Sequence, residues 1–242
     1  MRGTILVPLE MAESAEKILS AVEELARAGI EKVALLHVMS VRHTLADPAI
    51  RRYDEAKMKE WKDRLLACGV KAVTTGVVDG FPAYEILERS KDPDVSLVVM
   101  GSRGSTQLSR LLLGSTTEEV LHSVRKPLLV VRLQILEAEG GGVVCRLSTD
   151  RLFRRILYAT DFSKDALLRI PCLSWLAAAR PEELIVAHIQ DTRRLGHVTE
   201  EQMAEFNRRD TERLEALKEQ FERAGFGKVT TVLRTGNAIA EL

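Results

Sequence analysis

The chain repeats itself. Ile156-Leu157-Tyr158-Ala159-Thr160-Asp161 resembles Ile5-Leu6-Val7-Pro8-Leu9-Glu10, and Leu184-Ile185-Val186-Ala187-His188-Ile189 resembles Val33-Ala34-Leu35-Leu36-His37-Val38. Glu10 and Asp161 are 151 residues apart, and so are His37 and His188. Further along, Cys68-Gly69 matches Ala224-Gly225, and Val78-Asp79-Gly80 matches Arg234-Thr235-Gly236, now at a shift of 156, so the second copy is longer around its long helix. Two matches at one offset and two at another mark a tandem repeat. A chain of 242 residues can hold two small domains. Each copy must therefore be a pattern that closes on itself.

That pattern is an alternation of strand-length apolar runs with longer amphipathic segments. In the first copy, strands are expected at Ile5–Leu9, Lys32–Met39, Lys71–Val78, Val95–Met100 and Pro127–Arg132. Helices are expected at Ala15–Ala28, Pro48–Cys68, Pro82–Arg89 and Ser115–Val124, the first two closed by Gly29 and Gly69. Val95–Met100 is almost wholly apolar, as a strand covered on both faces should be. Strict alternation implies an α/β fold with a mostly parallel, doubly wound five-stranded sheet in the order 3-2-1-4-5. The domain reading is 1–136 for the first unit, 137–150 for a linker centred on Gly140-Gly141-Gly142, and 151–242 for the second unit. The second copy reaches Leu242 within its counterpart of Pro82–Arg89. Its sheet is thus expected to be incomplete, lacking counterparts of the fourth strand, the later glycines and the fifth strand.

The chemistry concentrates where the fourth strand ends. Val98-Val99-Met100-Gly101-Ser102-Arg103-Gly104 is followed, nine residues on, by Gly114-Ser115-Thr116. In an open α/β sheet, ligands sit outside the carboxyl ends of the strands where the order reverses, here between strands 1 and 4. Glycines there let backbone approach a ligand closely. Gly114 leads into Ser115-Thr116-Thr117-Glu118, which has capping-box spacing, and the N–H groups of a helix start form an anion site. Ser115 and Thr116 hydroxyls can add hydrogen bonds to a phosphate, and Arg103 and Arg110 can neutralise its charge. There is no GxxxxGK[ST] loop and no GxGxxG after the first strand. Efficient P-loop phosphoryl transfer and dinucleotide binding are accordingly not expected.

Gly101-x2-Gly104-x9-Gly114-Ser115 resembles the ATP-binding signature of the universal stress proteins. Lys126-Pro127-Leu128-Leu129-Val130-Val131, Ile5-Leu6-Val7-Pro8, Leu36-His37-Val38 and, in the second copy, Tyr158-Ala159-Thr160-Asp161-Phe162-Ser163 are similar to that family as well. The resemblance implies a nucleotide site for ATP or AMP, with Mg2+ as an optional companion of ATP. It implies contacts from Pro8, Leu9, Glu10, Val38, Met100, Gly101, Arg103, Gly104, Gly114, Ser115 and Thr116. Glu10 stands where the family usually has Asp. Thr160, Asp161 and Ile189 would form a partial second site. The resemblance also implies pairing of Pro127–Arg132 across a homodimer or an internal pseudo-dimer.

The leading expectation is a nucleotide-binding stress or regulatory protein with no catalytic residues. The alternatives are a slow metal-dependent ATPase and an interaction module with a vestigial site. Lys+Arg and Asp+Glu both number 35, which gives no electrostatic case for nucleic acid. The sequence shows neither a membrane-length apolar run nor a signal-like start, and a cytoplasmic location is expected. Cys68, Cys145 and Cys172 lie far apart with no ligand cluster around them, so no metal site is expected. His37 and His188 share a position and hence a structural role. Tyr53 and Trp61 read as core or interface residues. Arg193-Arg194 and Arg208-Arg209 read as solvated charge.

Overall fold

The computed structural model describes residues 3–40, 48–102, 113–137, 143–147, 151–191, 193 and 199–242, with backbone only for 40, 134–137 and 143–147. The chain divides into two compact units, Met1–Asp150 and Arg151–Leu242.

The first unit opens with β1 (Thr4–Pro8), α1 (Glu13–Arg27), β2 (Lys32–Ser40), α2 (Pro48–Ala67) and β3 (Ala72–Gly80). It continues with α3 (Pro82–Ser90), β4 (Val95–Gly101), α4 (Ser115–Ser123) and β5 (Leu128–Val131). All five strands are parallel and lie in the order β3-β2-β1-β4-β5. Helices cover both faces, α1 lying beside α2 and α3 beside α4. Leu6, Val98 and Val99 are fully buried, which accounts for the apolar central strands.

The long helix α2 is a strongly polar segment, yet it buries one face through Asp54, Met58, Trp61 and Leu65. The Trp61 indole N–H donates to Glu16 on α1 at 2.9 Å, and Arg64 reaches Glu16 and Glu23 at 2.6 Å each. Two helices on one face are thereby tied together. Gly69 then takes φ +102, a left-handed conformation that a Cβ would disfavour, and the chain turns into β3.

The second unit builds β8 (Arg155–Ala159), α5 (Lys164–Leu168), α6 (Ile170–Ser174), β9 (Glu183–Asp191), α7 (Glu200–Arg223), β10 (Val229–Gly236) and α8 (Ala238–Glu241). Its three strands are parallel in the order β10-β9-β8, the same arrangement as β3-β2-β1. The buried face of α7 is Asp210, Leu214, Leu217 and Phe221, each 156 residues after its counterpart on α2. Gly225 repeats the φ +102 of Gly69. The extra residues of the second copy therefore fall between His188 and Asp210. The first helix is the element that differs. Where α1 is continuous, its counterpart is broken into α5, α6 and a 3-10 turn; Pro171, in the first turn of α6, has no N–H to donate back to the Leu167 carbonyl, so α5 and α6 cannot run on as one helix.

The linker expectation needs correction. Within 137–150, Val143–Leu147 is a strand (β7) that pairs antiparallel with β6 (Leu133–Glu137), from Leu133↔Leu147 to Glu137↔Val143. The run Val143-Val144-Cys145 has the β-branched, apolar character that favours pairing, and only the glycine-rich stretch 138–142 is loop-like in composition.

In the second unit, Glu183 on the central strand reaches both neighbours. It accepts from Thr230 (2.8 Å) and pairs with Lys228 (2.9 Å) and Arg155 (3.0 Å). Lys228 chiefly, then Thr230, depress its pKa from 4.5 to about 2. A depressed carboxylate stabilises the fold above its ordinary pKa and loses that contribution as pH falls through the folded value. We predict that the urea midpoint of the second unit falls between pH 4.5 and about 2, and that Glu183→Gln flattens this dependence.

Candidate functional site

β1 and β4 pair side by side, Leu6 opposite Val98, while α1 leaves β1 on one face and α4 follows β4 on the other. Their carboxyl ends thus border an open crevice. One cavity lies there. Pro8, Leu9 and Glu10 line it from the end of β1, Val38 from β2, and Met100 and Gly101 from β4. Gly114, Ser115 and Thr116 line it from the start of α4. All nine were expected from the sequence. Arg103 and Gly104 lie outside the described residues. The cavity also takes in Ser14, Ile18, Leu36, Pro82, Ile86 and Thr117, which sequence reasoning missed.

Short hydrogen bonds fix the walls. The Gly114 N–H donates to the Ser102 carbonyl (2.8 Å), and the buried Thr117 hydroxyl donates to the Gly101 carbonyl (2.9 Å). The Leu133 N–H donates to the Ser102 hydroxyl oxygen at 3.0 Å. On the opposite wall, the Leu9 N–H donates to the Leu36 carbonyl at 2.8 Å.

The capping-box expectation at Ser115 fails. Gly114 is the N-cap, and Ser115 is the first helical residue, so no side chain caps α4. The opening N–H groups of this helix face the cavity without a side-chain acceptor, which is the arrangement an anion requires. Side chains of Ser163, Thr199 and Asn237 cap α5, α7 and α8, while α1, α3 and α6 share with α4 the lack of one; what sets α4 apart is that its first residues line the cavity. Glu10 is the one charged side chain lining the cavity among the described residues.

His37 Nδ1 lies 2.8 Å from the Leu9 carbonyl oxygen, and its Nε2 lies 3.4 Å from Asp54. His188 repeats this with the Thr160 carbonyl at 2.8 Å and Asp210 at 3.6 Å. A carbonyl only accepts, so Nδ1 is the donor and Nε2 faces the carboxylate. Each histidine thus bolts the loop after the first strand to the long helix, the shared role that repeat symmetry suggested. Asp54 and Asp210 are buried, and sequence reasoning missed both. Their common shift of 156 was the available signal.

The partial second site assembles differently. Asp161 and Ile189 share a cleft with Phe206 and Arg209 of α7, but Thr160 does not line it. Thr160 is buried, its hydroxyl oxygen accepting from the Phe162 N–H at 3.0 Å. Phe162, at φ +57, packs on the His188 ring with centroids 4.4 Å apart. Arg209 lies over Phe206 at 5.4 Å, so it borders this cleft, whereas Arg208 pairs with Glu205 and Glu212 on the exposed surface. Of the two aromatic residues expected in core or interface, Trp61 is buried and Tyr53 is exposed.

The model of the universal stress protein family matches residues 1–132 and 152–242. The chain belongs to the universal stress protein family. Both units are copies of that family's domain. Universal stress protein MJ0577 of Methanocaldococcus jannaschii is 31% identical over 156 residues, spanning 54% of this chain and 96% of that protein. YxiE of Bacillus subtilis is 30% identical over 148 residues, spanning 54% of this chain and 100% of its own length. The solved structure of MJ0577 aligns with a TM-score of 0.51 at 34% identity, covering 55% of this chain and 98% of that one. A universal stress protein structure from Archaeoglobus fulgidus shares the fold over 97% of this chain and 77% of its own, with a TM-score of 0.65 and 23% identity. No described helix is long and apolar enough to cross a membrane.

Removing the half-buried His37 leaves the buried Asp54 carboxylate without its partner. His37→Ala should destabilise the first unit by about 1–3 kcal/mol in urea unfolding, and a joint His37→Leu, Asp54→Leu replacement should recover much of it. Equal losses in the single and double variants would contradict the pairing.

Proposed function

We propose that the first unit binds an adenine nucleotide, ATP or AMP, and that the protein works as a nucleotide-responsive regulatory or stress protein. The observation that carries this reading is the convergence of nine expected contact residues on one cavity whose far wall is an uncapped helix start. The apolar wall of Leu36, Val38, Pro82 and Ile86 suits an adenine ring, with the Val38 backbone available to its polar edge. Glu10 suits the adenosine hydroxyls, where a carboxylate accepts hydrogen bonds and a phosphate would be repelled. Gly101 and Gly114 let backbone approach the ligand, and the N–H groups of α4 with the Ser115 and Thr116 hydroxyls suit phosphate oxygens. Arg103 and Gly104 belong to the same proposed site.

Among the described residues no group of three His, Cys, Asp or Glu is placed to hold a metal ion. On this reading Mg2+ arrives with the phosphates of ATP. The reading is therefore of a binding protein first, with hydrolysis secondary.

An acidic residue in the first turn of a helix favours the helix dipole but repels a phosphate. Ser115 is exposed, so Ser115→Asp should leave the unfolding midpoint unchanged or slightly raised. The same variant should weaken ATP binding at least tenfold in isothermal titration. Wild-type protein that takes up neither ATP nor AMP at about 1 mM, a binding energy of only about 4 kcal/mol, would defeat the proposal.

A further inference from the structure

Eight polar residues are buried among those described: Ser14, Asp54, Ser90, Ser102, Thr117, Thr160, Gln190 and Asp210. Seven have partners. Asp54 faces His37, Ser90 donates to the Leu87 carbonyl, and Ser102 accepts from the Leu133 N–H. Thr117 donates to the Gly101 carbonyl, Thr160 accepts from the Phe162 N–H, and Gln190 donates to Asp210. Ser14 is the exception. It is 6% exposed and its hydroxyl has no partner among the described residues. Buried hydroxyls are almost always paired, so an unpaired one needs a reason.

Its position supplies one. Ser14 lies in the first turn of α1, one turn before Ile18, and both line the cavity at the β1–β4 crevice. A solvent-facing serine would be unremarkable there, but this one is on the buried face with Ala15, Ile18 and Leu19. We infer that Ser14 is a specificity residue of the nucleotide site, its hydroxyl completing its hydrogen bonding on a ribose hydroxyl of the bound nucleotide.

The surroundings select that partner. Ser14 lines the cavity together with the apolar Leu9, Ile18 and Met100. A phosphate taken from water into such a wall needs a compensating charge, and the one charged residue lining the cavity among those described, Glu10, is negative. A neutral hydroxyl has no such requirement and can both donate to Glu10 and bond to Ser14. The anion site is at α4, contributed by the opposite face of the sheet. A ribose spanning the crevice therefore meets Glu10 and Ser14 while its phosphates lie towards α4.

The inference rests on the nucleotide reading, and one set of titrations separates the two. ATP, 2′-deoxy-ATP and 3′-deoxy-ATP are titrated into the full chain, wild type and Ser14→Ala, with thermal midpoints recorded alongside. A site built to bond a hydroxyl rejects the analogue that lacks it. Wild type should bind ATP about fivefold more tightly than at least one deoxy analogue. Ser14→Ala should bind ATP about fivefold more weakly, lose that preference, and keep or raise its midpoint, since an unpaired buried hydroxyl is removed. Unchanged ATP affinity and preference in Ser14→Ala overturns the inference and leaves the nucleotide site standing. A lower midpoint with unchanged preference shows a packing role alone and also overturns it. Wild type that binds none of the three overturns both readings.

Discussion

Everything at the site depends on the pairing of β1 with β4. These strands are neighbours in space but far apart in sequence, and the chain leaves them in opposite directions, α1 covering one face and α4 the other. Strand ends whose connections depart to opposite faces of the sheet open a crevice between them. What the sequence decides is how its walls are furnished. Gly101 and Gly114 bring bare backbone to one wall, and Gly114, standing as N-cap, leaves the start of α4 without a side-chain acceptor. The other wall is Leu9 and Glu10, held through the Leu9 peptide to β2 and, by His37, to α2.

The second unit isolates the scaffold from the site. It keeps the parallel order, the buried face of the long helix, the left-handed glycine after it, and the histidine bolt with its aspartate. The half of the crevice that β4 and α4 supply in the first unit has no counterpart among its described residues. The features held in common by the two units are those that serve folding. The cavity-lining start of α4 and the glycines of the first unit are the features on which the proposed nucleotide site rests. The proposed nucleotide site is accordingly assembled from elements of the first unit.

Much of this was legible in the chain. Periodicity located nearly every element of the first unit within a residue or two, and the apolar run Val95–Met100 with its terminal glycine identified the strand at the switch point. Nine residues that line the cavity are implied by the family resemblance, with topology placing the glycine series and the end of β1 at the crevice. The failures have physical causes. Asp54 sits among Arg51, Arg52 and Glu55, where a buried carboxylate looks like one more surface charge. Ser14 falls in a helical first turn, where serine ordinarily faces water or caps. The strand Val143–Leu147 was hidden by the adjacent glycines, and the helix after β8 by a proline whose effect is local. Ser115 had the residue type of a cap, but the backbone assigns that place to Gly114.

The central claim is one adenine-nucleotide site at the β1–β4 crevice. Titration of ATP into isotopically labelled protein, followed by backbone amide shifts, addresses it residue by residue. The account predicts saturable shifts at Leu9, Glu10, Val38, Gly101 and Ser115 to Thr117, with amides of β8 to β10 unmoved. Shifts confined to Asp161, Ile189 and their neighbours, or none at any ATP concentration up to about 1 mM, would contradict it.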